Sequence, residues 1–215
     1  MIYKQLKIIL VGILLVFSSS ILKASQFNGI IHFQKIDGTD TTLYKYYVKD
    51  QYIRIEDLNE KGDINGIMLI NTKESTVILL SNSKKVFINV PISDKKPKNF
   101  NLDIEKTQEE VNVAGIKCVL WVAVDKATQN KYEFLVHNNG YLFFNEMLKL
   151  LNREEPIANV WLTMDVNDNY FPFVGSTYSP TGELISRIEI INIVDDDLPV
   201  EMFLKPEGYQ AMETR

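Results

Sequence analysis

Two histidines, one cysteine and two short acidic runs are the first places in this 215-residue chain to look for chemistry. His32 and His137 each sit in an apolar, strand-like segment with no nucleophile or ligand partner at a recognisable spacing. That placement suits an edge or surface histidine rather than a general base or metal ligand. Cys118 alternates with Ile116 and Leu120 along an apolar strand, where a thiol packs as a small hydrophobe instead of acting as a nucleophile. A single cysteine cannot close an internal disulfide, although export would permit a bridge to another chain. Asp165-Val166-Asn167-Asp168-Asn169 puts oxygen ligands at the first, third and fifth positions of a calcium loop. Tyr170 stands at the sixth, where the turn needs Gly, and Ser176 at the twelfth, where a bidentate Glu belongs. An acidic turn is the better description, as it is for Asp195-Asp196-Asp197. No G-x-S-x-G elbow, no G-x-x-x-x-G-K-[ST] phosphate loop and no H-E-x-x-H pair occurs. The sequence therefore predicts no catalytic residues, no metal and no cofactor.

What remains is apolar surface and the elements that must arrange it. Hydrophobic residues make up 46% of the chain and charged residues 24%, which is enough to build a core. A formal charge of -5 argues against a basic surface for nucleic acid. Lys4 and Lys7 precede an apolar run, Ile8 to Phe17, and small residues follow at Ser18-Ser19-Ser20 and Ala24. This order is that of a secretory signal peptide, and the run is about half of the ~20 residues that a membrane-spanning helix needs. Residues 1–24 are thus expected to be removed, with the mature chain starting near Ser25. Loss of Lys4, Lys7 and Lys23 takes the charge from -5 to -8. The expected location is the periplasm of a Gram-negative bacterium, as a soluble protein that meets the membrane only transiently.

Beyond the leader the chain reads as strands. Phe27–Phe33, Thr41–Val48, Gln51–Asp57, Ile64–Asn71, Ser75–Leu80 and Lys85–Val90 are rich in Ile, Val, Tyr and Phe and are separated by Asp, Gly, Asn and Ser. Spacing of about ten residues without intervening helices predicts an antiparallel meander. A polar stretch with Pro91 and Lys95-Lys96-Pro97-Lys98 predicts an exposed connection near 91–110 inside one domain covering residues 25–215. Ile116–Asp125 is the densest strand, and both it and Leu184–Val194 carry apolar residues on both faces, so both faces are covered or one lines a cavity. Ala158–Val166 and Pro172–Ser179 are read as further strands.

One helix is predicted, from about Tyr141 to Leu151. Phe143, Phe144, Met147, Leu148, Leu150 and Leu151 span roughly half its circumference, with Asn145, Glu146 and Lys149 opposite. Asn139 and Asn152 are its expected caps, and Pro156 is read as its stop. The fold class is then mainly β (α+β): a curved antiparallel sheet or half-barrel with this apolar helix packed on its concave face.

Val113-Ala114-Gly115-Ile116-Lys117-Cys118-Val119-Leu120-Trp121, Tyr52-Ile53-Arg54-Ile55 and the ending Phe203-Leu204-Lys205-Pro206-Glu207-Gly208-Tyr209 resemble motifs of an uncharacterised exported bacterial family. Tyr132-Glu133-Phe134 departs from that family, which has a Trp before a T-x-D step in this region. The family is similar in fold to the outer-membrane lipoprotein carriers, LolA and LolB, half-barrels that shelter acyl chains. The resemblance implies a non-enzymatic carrier, and the wide helix face and the dense strand supply the candidates for its apolar site: Phe143, Phe144, Met147, Leu148, Leu151 and Trp121. Its expected partners are a lipid or an acylated protein. The alternative is a cell-envelope protein–protein interaction module without a small-molecule ligand. Intact-mass analysis of protein recovered from the producing cell should show a chain beginning near Ser25. A full-length species found only in membranes would remove the signal-peptide reading.

Overall fold

The computed structural model describes residues 26–59, 61–92, 100–138, 140–151, 155–164, 166 and 169–212. The leader, the caps Asn139 and Asn152, and Asp165, Asn167 and Asp168 of the calcium-like run lie outside the described residues.

The chain runs β1 (Gly29–Asp37), β2 (Asp40–Lys49), β3 (Tyr52–Leu58), β4 (Ile64–Asn71), β5 (Thr76–Ser81), β6 (Val86–Asn89), β7 (Leu102–Val113), β8 (Ile116–Asp125) and β9 (Lys131–Asn138). Helices α1 (Phe143–Leu151) and α2 (Pro156–Thr163) follow, then β10 (Tyr170–Tyr178), β11 (Leu184–Asp195), a 3-10 turn (Val200–Phe203) and β12 (Gln210–Ala211). Among the described residues these make one open sheet of twelve strands, ordered β12-β6-β5-β4-β3-β2-β1-β11-β10-β9-β8-β7. The pairings are antiparallel except that β12 lies parallel to β6. The mainly-β, antiparallel expectation is thus met, with two α-helices among the described residues where the sequence predicted one. No helix among the described residues is long and apolar enough to cross a membrane.

Two elements differ from the sequence reading. The connection expected near 91–110 ends early, because β7 occupies Leu102–Val113. This strand sits at the sheet edge, where only one side is paired and both faces can stay wet, so a charged run such as Asp103 to Glu110 forms a strand as well as a loop. Ala158–Val166, read as a strand, starts instead as a helix: Ala158 to Thr163 belong to α2. Pro156 does not only stop α1; it occupies the first turn of α2, where a missing N–H costs nothing. Ile157, Val160, Trp161 and Met164 recur at helical spacing and are all buried.

The two helices cover one face of the sheet through separate clusters. Phe143 and Met147 of α1 pack with Ile31, Phe33, Ile53 and Ile55. Ile157, Val160 and Trp161 of α2 pack with Trp121, Tyr132 and Phe134. Gly175 of β10 permits the second contact, since a Cβ there would stand 3.0 Å from Ile157 Cδ1. A third cluster, Ile67, Leu69 and Leu80, is covered by Phe87 and by Tyr209 of the C-terminal segment. The helices themselves are joined by Trp161, whose Nε1 donates to Asn145 Oδ1 at 2.7 Å in a buried bond. The sequence placed Asn145 on the polar side of α1 with Glu146 and Lys149; those two stay exposed, but Asn145 is buried against α2.

Trp161→Phe keeps most of the ring but removes this donor. The variant should lose about 1–3 kcal/mol of stability in urea unfolding, and a double-mutant cycle with Asn145→Ala should return a coupling of similar sign. Independent, additive effects would show that the bond does not tie the helices together.

Candidate ligand-binding site

Two-residue alternation decides which side chains meet the helices. On β1, Ile31, Phe33 and Lys35 share a face; opposite them on β2 stand Tyr46, Tyr44 and Thr42, and Ile55 and Asp57 of β3 stand opposite Tyr46 and Tyr44 in turn. A cavity of about 100 Å³, partly open to solvent, lies between this face and the two helices. Phe144, Leu148 and Leu151 of α1 and Ile157, Ala158 and Trp161 of α2 form its helical wall. The sheet wall includes Phe33, Tyr44, Tyr46, Phe134, Phe171 and Ile188. Its aromatic surface is tightly ordered: Phe33 stacks on Tyr44 at 4.9 Å and meets Tyr46 edge-on at 4.4 Å between centroids.

The charged groups of this cavity are Lys35 and Glu155. Lys35 Nζ lies 3.2 Å from Glu155 Oε1 and 3.0 Å from Asp37 Oδ2. Burial works against the Lys35 charge, but hydrogen bonds and charge from Asp37 and Glu155 outweigh it and raise the lysine pKa. A second cavity of about 330 Å³ shares Tyr44 and Ile55 with the first and is bounded further by Asp57, Gly66, Met68 and Leu79.

The six residues expected at the apolar site divide evenly. Phe144, Leu148 and Leu151 line the cavity. Phe143 and Met147 are fully buried core residues on the neighbouring stripe of α1. Trp121 stacks on Trp161 at 6.3 Å and packs in the α2 cluster, away from the cavity lining. Sequence reasoning missed α2 as a wall, and the strand it read at Thr41–Val48 holds Tyr44, Tyr46 and Tyr47, which the structure separates. Tyr44 and Tyr46 face the cavity. Tyr47, one step out of phase with Tyr46, donates to Glu56 Oε2 at 3.0 Å, and Glu56 is held by Arg54 at 2.6 Å. Burial, followed by the Glu56 charge, pushes the Tyr47 hydroxyl up to about 12.

The residues that could have done chemistry stay apart. His32 on β1 and His137 on β9 are separated by β11 and β10. Burial first, then the charge of Lys45, lowers the His32 pKa. His137 Nδ1 stands 2.9 Å from the Lys117 carbonyl, which it meets as a donor. Asp197 is engaged by Lys49 at 2.6 Å. Among the described residues no three His, Cys, Asp or Glu side chains come together as a metal site.

These observations describe a mainly-β domain with an apolar cavity under two helices, and the family comparison covers the same span. Residues 27–209 match the family described as domain of unknown function DUF4412. The chain belongs to this family. The resemblance read from its Cys118 strand and its closing Phe203–Tyr209 motif, that of an uncharacterised domain family, is therefore correct. No curated protein matches the sequence. Among solved structures, an uncharacterised conserved protein from Thermus thermophilus shares the fold, with a TM-score of 0.53 and 11% identity over 88% of this chain and 91% of the other. A weaker likeness is to the Pseudomonas aeruginosa MucA/MucB complex, with a TM-score of 0.48 and 12% identity, covering 84% of this chain and 56% of the other.

Cys118 is 1% exposed, and burial pushes its thiol up to about 11. Native protein should resist a thiol reagent at pH 8 and react on unfolding. Because the folded-state pKa lies above the ordinary 9.0, this group's contribution to stability is complete below about pH 9 and is lost as pH rises toward 11. Cys118→Ala should flatten that part of the alkaline stability profile. Rapid labelling of the native thiol would overturn the assignment.

Proposed function

We propose that this DUF4412 domain is a non-enzymatic binding protein of the bacterial envelope, which shelters an apolar ligand between α1, α2 and the sheet. The ligand class is an acyl chain, of a lipid or of an acylated protein. In this reading one domain runs from Ser25 to Arg215, and its sheet curves as a half-barrel around the helices. The supporting observation is the cavity: it is bounded by apolar side chains of both helices and of the sheet, while its lysine and glutamate are paired with each other.

Size sets what such a site can hold. On the scale of a ~150 Å³ cavity that takes one benzene, about 100 Å³ takes roughly four methylene-sized groups. Burial of that many would supply ~3 kcal/mol before ordering costs. A longer chain requires either the neighbouring cavity or a shift of α1 and α2. Both helices are short, and a few side-chain contacts join them, so such a shift disturbs no strand pairing.

An envelope protein–protein interaction module is the second reading. It is favoured by β11, whose Ile185, Ile191 and Val194 are 46%, 50% and 40% exposed although the strand lies inside the sheet. Native mass spectrometry of gently purified protein separates the two, since a co-purified acyl species supports the carrier and a stoichiometric polypeptide supports the module.

The division of α1 gives the direct test. Met147→Ala should cost ~2–5 kcal/mol, as expected for a packed core residue, with apolar-probe affinity nearly unchanged. Leu148→Ala and Phe144→Ala should cost less stability and shift that affinity several-fold. The carrier reading is rejected if both cavity-side variants behave like Met147→Ala.

A further inference from the structure

The carboxyl of Asp57 has no use in the fold described so far. On β3 it follows Ile53 and Ile55 in the alternation that faces the helices, a position where the two-residue period calls for an apolar side chain. Directly opposite it across the β3–β4 register stands Gly66. A Cβ at that glycine would lie 3.3 Å from Asp57 Oδ2, so the missing side chain leaves the carboxyl an approach from that side. The strand register shifts at the next step, between Asp57 and Leu58, which sets Asp57 at a bulge.

Asp57 is also the charged residue lining the 330 Å³ cavity, whose other walls include Tyr44, Ile55, Met68 and Leu79. Its Oδ1 is shielded by protein and has no hydrogen-bond partner among the described residues. Buried polar atoms are nearly always satisfied, and an ionised carboxylate most of all, so an orphan of this kind calls for a donor supplied from elsewhere. The terminal torsion of an aspartate is broad and two-fold, so either oxygen can turn toward a donor arriving through the gap beside Gly66.

We propose that Asp57 is the polar recognition point for an amphipathic ligand bearing a primary ammonium group. Its apolar body would lie along Tyr44 and Ile55 into the cavity under the helices, and this step rests on the binding function proposed above. The two cavities share those residues and so are neighbours, and the proposal places one ligand across both. The sign of the head group follows from the other charges. Lys35, the cation of the first cavity, is already engaged by Asp37 and Glu155, and an anionic head would meet two carboxylates for one ammonium. Asp57 has no such competitor among the described residues, so a cation gains a charge-assisted bond that an anion cannot.

Displacement of Nile red, a neutral apolar fluorophore, by dodecylammonium, dodecanol and dodecanoate at pH 7 tests this directly. Wild-type protein should release the dye at a dodecylammonium concentration at least tenfold below that of dodecanol, with dodecanoate weakest. Asp57→Asn preserves shape and should reduce the ammonium advantage, the ratio of the displacing dodecanol and dodecylammonium concentrations, at least fivefold. Gly66→Val, which fills the approach, should reduce that ratio as well, and thermal melts should show both variants folded. Equal displacement by ammonium and alcohol in the wild type, or an undiminished ammonium preference in Asp57→Asn, overturns the role of Asp57 alone. Failure of Nile red to bind the wild type overturns the apolar-ligand reading, and the role of Asp57 with it.

Discussion

The contact between Trp161 and its surroundings fixes more of this molecule than any other. Its ring sits against Trp121, Phe134 and Phe144, at 6.3, 5.3 and 6.1 Å between centroids, while its Nε1 reaches Asn145. One side chain thus ties α2 to the sheet, α2 to α1, and both helices to the cavity that it also lines. A buried indole needs its N–H satisfied, and the partner that satisfies it must itself be buried. This is why α1 carries an asparagine on the side that amphipathicity would leave to water. The position of the helical roof, and with it the space beneath, follows from that requirement.

The strands were legible because their information is local. Ile64–Asn71 and Ile116–Asp125 have the boundaries that alternation and turn residues indicate. α2 was not legible as a helix because Ile157, Val160, Trp161 and Thr163 are strand-favouring types. What overrides their propensity is partly tertiary, namely burial of Ile157, Val160 and Trp161 on Gly175, Trp121 and Phe134. It is also partly local, through Pro156 in the first turn. β7 was missed for the opposite reason. An edge strand with two wet faces leaves no hydrophobic pattern to read.

The candidate site was legible only as far as its helix. Phe144, Leu148 and Leu151 could be named because a wide apolar arc on an isolated helix is visible in one dimension. Tyr44 and Tyr46 could not be assigned to the same space, since that depends on how β1, β2 and β3 align. Asp57 left still less trace. In the sequence it is one acid at the end of a strand, and its isolation exists only once Gly66 lies across from it and apolar walls surround both.

The width of the apolar arc on α1 then has a physical reason. Residues 143 and 147 lie one turn apart on one stripe; 144, 148 and 151 lie on the adjoining stripe, rotated by about 100°. The first stripe is fully buried and anchors the helix to the core. The second is only half-buried and faces the cavity. A helix that merely closed a core would need one seam, and a lid resting on a ligand alone would have nothing to hold it when the site was empty. Two adjoining seams let the helix stay folded against the sheet while leaving an apolar wall beside it that protein atoms do not fill. On the proposed reading of the cavity, the same separation would put the ligand wall and the core anchor of α1 on different side chains.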